Sequence, residues 1–278
     1  MAAKNDHTIK WLMPVSNWQW PHLTEAWQYR SLCLQLALKD FRIRYQQSLL
    51  GPAWAVLNPL LSTLILIAVF QRMAGVTIEG VKPYAFAFSG MVVWTFYASI
   101  IPEALNGMLA ASPLFRKIYF PKLILPVSKM LNASIETGVS FLLFLMACIW
   151  WHQDLQWTVI IHLPLFVVMA LLTGLGLALW ASVLVALSRD FVHGIPHLIR
   201  LGIFVCPIAY PVSLVPAHWQ IIYFLNPVSG LIEYFRWICF PLYDFVPYIW
   251  ISLTVAFVIT ISGLLVFTKI EGRLNDQM

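Results

Sequence analysis

Long apolar runs, broken at intervals by Gly, Pro and basic residues, dominate this 278-residue chain. Six windows are long or apolar enough to read as membrane crossings: Ala53–Met73, Tyr84–Leu105, Leu131–Trp151, Trp157–Leu187, Ile199–Val215 and Pro247–Thr268. A hydrocarbon core of about 30 Å takes roughly 20 helical residues, which five windows meet comfortably. The fifth window is short and holds Pro207 and Pro211, so it is the least regular. The pattern predicts an all-α integral membrane protein of six transmembrane helices. An N-terminal amphipathic helix lies in the membrane surface, and short re-entrant outer helices stand between spans five and six. Three regions follow: residues 1–50 as cytosolic tail and interfacial amphipathic helix, 51–270 as a six-helix transmembrane domain and 271–278 as a cytosolic tail.

Leu34, Leu38, Phe41 and Tyr45 fall on one helical stripe ahead of the first span, flanked by Lys39, Arg42 and Arg44. Such a helix lies in the membrane surface with its basic flanks toward lipid phosphates. Leu36 and Ile43 sit on its opposite face, which suits a helix docked on protein better than one facing water. Gly51-Pro52 ends it. Asn58-Pro59 would cost a helix interior about 3 kcal/mol, a penalty largely avoided near a helix start or against neighbouring helices.

After span two, Ser112 suits an N-cap and Pro113 the first helical position. A short cytosolic helix is therefore predicted over Leu114–Tyr119, including Phe115, Arg116 and Lys117, stopped by Phe120-Pro121. It is a candidate docking knob for a cytosolic partner, and on physics alone equally an ordinary basic re-entry loop. Pro126 delays the start of span three, and a Gly194-Ile195-Pro196 turn leads into span five. Gly174, Ala178 and Ser182 let another helix approach span four. Between spans five and six, Pro207, Pro211, Pro216, Pro227 and Pro241 chop the chain into short helices that dip into the outer leaflet, as a gate-like element or, alternatively, a structural lid. Glu233 and Arg236, three residues apart, can pair there.

Charge fixes the orientation. Lys4, Lys10, Arg30, Lys39, Arg42, Arg44, Arg116, Lys117, Lys122, Lys129, Arg189, Arg200, Lys269 and Arg273 all fall on one side of the spans. Only Arg72, Lys82 and Arg236 do not. The positive-inside rule then predicts N-in, C-in, and an anionic inner leaflet accounts for the net charge of +5 without any nucleic acid. The polar first forty residues show no signal-peptide core.

Chemistry is sparse. There is no phosphate-binding G-x-x-x-x-G-K-[ST] loop, no H-E-x-x-H and no G-x-S-x-G, so neither ATP hydrolysis nor another catalytic centre is expected on this chain. The four Cys lack metal-ligand spacing and read as small hydrophobes. No metal site is predicted. Glu103 and Glu136 lie near the cytosolic ends of their spans and read as structural rather than proton-coupling groups.

Several segments in this order resemble the membrane subunit of ABC exporters for cell-surface polysaccharides, the group serving O-antigen, capsule and teichoic acid export. They are LKDFRIRYQQSLLGPAWAVLNPLL (Leu38–Leu61), GMVVWTFYAS (Gly90–Ser99), SPLFRKIYFPKLILP (Ser112–Pro126), SRDF (Ser188–Phe191), CPIAYP (Cys206–Pro211) and LNPVSGLIEYFR (Leu225–Arg236). The resemblance implies a bacterial inner-membrane subunit working as two copies with two separate ATPase subunits, which carry ATP and Mg²⁺. It implies that Ser112–Tyr119 is the coupling helix seated on the ATPase and that Arg189-Asp190 is the family's pair near the cytosolic side. It places Pro227, Glu233 and Arg236 in the outer gate. The substrate would be a lipid-linked polysaccharide, O-antigen foremost, and Trp94, Phe96, Tyr97, Tyr210 and Tyr223 are candidates to line its path. Two alternatives remain: a permease of similar build for another lipid or small molecule, and an integral-membrane sugar-transfer enzyme.

Overall fold

The computed structural model describes residues 23–277 apart from 47, 74, 76–79 and 116–119. Among the described residues every regular element is helical: α1 (Leu23–Gln28), α2 (Arg30–Gln46), α3 (Ala53–Leu66), α4 (Pro83–Phe115), α5 (Ile124–Trp150), α6 (Val159–Leu187), α7 (Phe191–Val205), α8 (Ala217–Tyr223), α9 (Pro227–Cys239) and α10 (Ile249–Gln277). A π-helical turn, Ile67–Met73, extends α3. Five helices are long and apolar enough to cross a membrane: α3 with its extension, α4, α5, α6 and α10. The chain is a multi-pass membrane protein.

The fifth expected span, Ile199–Val215, is corrected. Helix α7 starts earlier, at Phe191, and ends at Val205. Its 15 residues rise only about 22 Å. Cys206 is extended because it precedes Pro207, whose ring disfavours helical backbone at the residue before it. The expected turn at Gly194-Ile195-Pro196 lies inside this helix. Pro126 does not delay α5 either, since it sits in the first turn where a missing N–H leaves no bond unmade. Gly51-Pro52 does break the chain as expected, with Gly51 at φ +50° between α2 and α3.

Helix α4 is the axis of the bundle. It packs against α3, α5, α6, α7 and α9, and 67% of its spanning window is buried against 17 to 28% for the other four spanning helices. The other four spanning helices therefore leave most of their surface outside the bundle. Helices α6 and α10 pack along much of their length, and Gly176 lets them approach closely. A Cβ there would come within 2.7 Å of the Thr260 Cα. Of the small-residue stripe read from the sequence, Gly174 instead receives the Phe96 ring of α4.

At the end of the bundle away from α2, side chains tie the loops together. The Lys82 amide donates to Gln153 Oε1 at 2.9 Å, and its ammonium donates to the carbonyls of Trp151 and His152 at the C-terminus of α5. A cation is favourable against these unpaired carbonyls.

Candidate functional site

Three constructions stand out, and α4 takes part in each. The first fastens α2 to the bundle. Cys33 and Ala37 are buried, and one and two turns on from Ala37 come Asp40 and Arg44. This protein-facing stripe lies one residue from the membrane-facing stripe expected over Leu34, Leu38, Phe41 and Tyr45. Leu34 and Leu38 stay 52% and 40% exposed. The small side chains of Cys33 and Ala37 let α2 approach α5 closely, and the polar pair beyond them finds partners. Lys129 of α5 pairs with Asp40. Arg44 donates to Glu103 of α4 and to Glu136 of α5, so its fork joins three helices.

Arg44 therefore points into protein and not to lipid phosphates, which corrects the sequence expectation for that residue. Lys39 and Arg42 remain exposed. Burial alone would lower the Arg44 pKa, but the two carboxylates outweigh it and hold the guanidinium above its ordinary value. Burial, with Glu136 beside it, pushes the Tyr45 hydroxyl up to about 12. It stays protonated and donates to Glu136 Oε1 at 3.0 Å. Asn132 completes the cluster by donating to Glu103 Oε2 at 2.6 Å. Phe41 packs its ring against Tyr45, centroids 5.0 Å apart. The structural role expected for Glu103 and Glu136 is what these contacts give them.

The second construction holds α9. Asn226 caps this helix by accepting from the Val228 amide at 3.1 Å, and Pro227 occupies the first helical turn. Of its 13 residues only Trp237 escapes burial. Such a segment needs its charges matched, and they are. Arg236 Nη1 meets Glu233 Oε1 at 2.9 Å, as their spacing predicted, while Tyr243 donates to Glu233 Oε2 at 2.6 Å. The remaining guanidinium donors go to the carbonyls of Ile208 at 2.7 Å and Phe86 at 3.2 Å and to Ser89 Oγ at 3.4 Å. Arg236 thus ties α9 to α4 and to the segment after α7. Gly90 makes room: a Cβ there would meet the Ile208 Cα at 2.9 Å and Arg236 Nη2 at 3.0 Å. Two of the three basic residues outside the one-sided groups, Lys82 and Arg236, are accounted for by these contacts.

The third construction is a groove between α4 and α7. Gly202 lets Trp94 approach, since a Cβ would lie 2.7 Å from Trp94 Cη2. On one side of Trp94 a cleft of about 400 Å³ opens between Ala98 and Pro102 of α4 and Pro196, Ile199 and Ile203 of α7, with Arg200 among its lining. On the other side a cleft of about 420 Å³ reaches Asn226 and Pro227. No sequence signal marked either one, because each is shared by helices about a hundred residues apart.

The aromatic candidates separate. Trp94 lines both clefts. Tyr210 and Tyr223 bring their hydroxyls within 3.2 Å of each other, and Tyr210 OH lies 3.1 Å from the Phe204 and Val205 carbonyls that end α7. Phe96 and Tyr97 are buried between α4 and α6, Phe96 over Gly174 and Tyr97 with its hydroxyl 3.2 Å from the Ala170 carbonyl. They pack helices and present no open face, a correction to their placement on a path.

Of the expected coupling helix, Ser112, Pro113, Leu114 and Phe115 continue α4 without a break, so Ser112 caps no separate helix. Their side chains, and all of Arg116, Lys117 and Tyr119, lie outside the described residues. Arg189 and Asp190 are exposed at the turn into α7. Asp190 is its N-cap, its amide 3.3 Å from Ser188 Oγ, and no ion pair joins the two.

A long central helix, a second helix clamped on it and a buried broken segment at the far end define a helical multi-pass membrane protein. The profile of ABC-2 type transporters matches residues 31–240, and the chain belongs to this family. It is 26% identical over 251 residues to the O-antigen export system permease protein RfbA of Klebsiella pneumoniae, covering 88% of this chain and 94% of that one. It is 26% identical over 214 residues to a protein of the same name from Myxococcus xanthus, covering 76% and 81%. With the polysialic acid transport protein KpsM of Escherichia coli it shares 24% over 212 residues, covering 75% and 81%.

Proposed function

We propose that this chain is the membrane subunit of an ATP-driven exporter that carries a lipid-linked polysaccharide, O-antigen foremost, across the bacterial inner membrane. The observation that carries this reading is the near full-length correspondence with permeases named for O-antigen export, 88% of this chain against 94% of the relative. In the working assembly two copies of the chain pair with two ATPase subunits, which bind ATP and Mg²⁺. The chain crosses six times, N-in and C-in, with α7 as the fifth crossing and α8 and α9 dipping back from the outer side.

Helix α4 is the mechanical link in this scheme. Its 33 residues span about 50 Å. One end leads into the 112–119 segment that couples to the ATPase and carries Glu103, where Arg44 clamps the surface helix. The other end carries Phe86, Ser89 and Gly90, where Arg236 fastens the outer gate. A push on the coupling segment therefore reaches the gate through one rod. The shift requires contacts that differ between the two states of the gate, and the Arg236 bonds to Phe86 and Ile208 can be exchanged in that way. Trp94, Tyr210 and Tyr223 offer aromatic faces for sugar C–H surfaces along the path.

The test is reconstitution. Vesicles holding this chain and its ATPase subunit should move a polyprenyl-linked glycan in an ATP-dependent manner and should leave a small amphiphile or phospholipid in place. Transport of phospholipid alone would indicate a permease for a different lipid, and sugar transfer without the ATPase would indicate an enzyme.

A further inference from the structure

We infer that the junction of α2, α4 and α5 is a proton-binding site. Glu103 takes up a proton there as Arg44 releases it, so that α2 is held tightly on α4 only while Glu103 is ionised. The site goes beyond the exporter reading and does not depend on what is exported.

The charges at the junction do not balance. Helix α2 brings Asp40, Arg44 and Tyr45, α4 brings Glu103, and α5 brings Lys129 and Glu136. Lys129 and Asp40 satisfy each other, which leaves two carboxylates on one guanidinium. Helix α3, packed against α4 and α5, carries no titratable residue. Arg200 of α7 lines a cleft with Pro102, the neighbour of Glu103, yet forms no ion pair among the described residues. The titratable groups of α6 and α9 lie toward the opposite end, His162 beside Trp237 and Glu233 with Arg236. Both glutamate side chains are only 11% exposed. An unmatched negative charge inside a helical bundle is costly, and one proton removes it.

The geometry points to the carboxyl that takes this proton. Glu136 Oε1 accepts from Arg44 and from the Tyr45 hydroxyl, and Ser99 Oγ lies 3.4 Å from its other oxygen. Glu103 has Arg44 on one oxygen and the Asn132 amide on the other, 2.6 Å away. That separation is short for an N–H donor and ordinary for a hydroxyl. Asn132 is fully buried, and its Oδ1 has no partner among the described residues. A half-turn of the amide exchanges its nitrogen and oxygen. The same side chain therefore donates to an ionised Glu103 and accepts from a protonated one. Protonation dissolves the Arg44–Glu103 pair and leaves Arg44 with Glu136 alone. Loosening α2 from α4 and binding the proton are then linked, each favouring the other.

The test titrates the full chain in lipid nanodiscs from neutral to acid pH in choline buffer, with the proton as the only ligand. The infrared difference between wild type and Glu103→Gln should contain a carboxylic C=O band that grows as pH falls. Heavy-carbon labelling of glutamate should displace that band. In Glu136→Gln its midpoint should fall, because Glu103 then has the guanidinium to itself. In Arg44→Gln the midpoint should rise by about 1–3 pH units, the effect of one adjacent cation on a carboxyl. Spin labels at Lys39→Cys and Asn106→Cys, both exposed positions, need no change at the site. They should report a longer α2–α4 distance over the same pH range, and the buried native thiols keep the background low. A distance that ignores the titration would overturn the proposal, as would the absence of the difference band, which would leave only an ordered water at Asn132. A midpoint that falls when Na⁺ or K⁺ replaces choline would mark a metal-cation site and overturn it too. None of these readouts needs an ATPase or a glycan, so they stand or fall apart from the exporter reading.

Discussion

Arg236 lies with its guanidinium carbon 3.4 Å from the centroid of the Phe86 ring, and both side chains are fully buried. The stacked face of the cation meets π density while its edge donates to Glu233, Ile208, Phe86 and Ser89. A buried charge pair is stable only when such additional bonds offset the loss of hydration.

Removing one partner should therefore cost far more than removing both. Arg236→Ala should lower stability by about 3–5 kcal/mol, because Glu233 is left charged or forced to neutralise inside the protein. Arg236→Lys should not restore it, since an ammonium cannot reach the same acceptors in one plane. The double variant Arg236→Met, Glu233→Gln should recover more than half of the loss. Denaturant or thermal unfolding in detergent measures each, and a double variant as unstable as Arg236→Ala would refute this account.

Arg44 sits in a wetter place. Its side chain is 36% exposed, so Arg44→Ala should cost less, about 1–3 kcal/mol between the surface and buried limits. The loss should shrink in a Glu103→Gln, Glu136→Gln background, where no carboxylates are left to repel each other. A loss unchanged in that background would mean that packing, and not charge, holds α2 in place.

Two helical glycines make opposite predictions. Gly176→Ala puts a methyl group against the Thr260 backbone at 2.7 Å, and overpacking of this kind costs about 1–3 kcal/mol. Gly138 has nothing within 4 Å of an added Cβ. Gly138→Ala should be neutral or stabilising by up to about 1 kcal/mol, as alanine is the better helix former. Melting temperatures of the pair test the α6–α10 contact directly.

Orientation can be read by impermeant thiol labelling on intact cells. The four native cysteines are buried, so background should be low. Asp154→Cys should label from outside and Arg189→Cys only after permeabilisation. The reverse pattern would invert the proposed topology.

The coupling segment makes a separate prediction. Arg116→Glu with Lys117→Glu should abolish co-purification of the ATPase subunit while membrane insertion continues. Normal recovery of the ATPase would remove the coupling role from this segment.

Composition and local spacing were enough to mark the five long apolar helices, because crossing a bilayer depends on the apolar content of about twenty consecutive residues. The break at Gly51-Pro52 and the Glu233–Arg236 pair were legible for a similar reason, as each depends on residues within one helical turn. What the sequence left undecided depended on partners far along the chain. Helix α2 turned its Cys33, Ala37, Asp40, Arg44 face inward because Glu103 and Glu136, 59 and 92 residues away from Arg44, receive it there. Periodicity marked the neighbouring leucine stripe as membrane-facing and gave no sign of this protein-facing one. Phe96 and Tyr97 went to helix packing because Gly174 and Ala170 of α6 lie opposite them. Arg236 became the hub of α9 through bonds to residues 28 to 150 positions distant. A helix's own sequence states what it can bury, and only the surfaces packed around it select which face is buried.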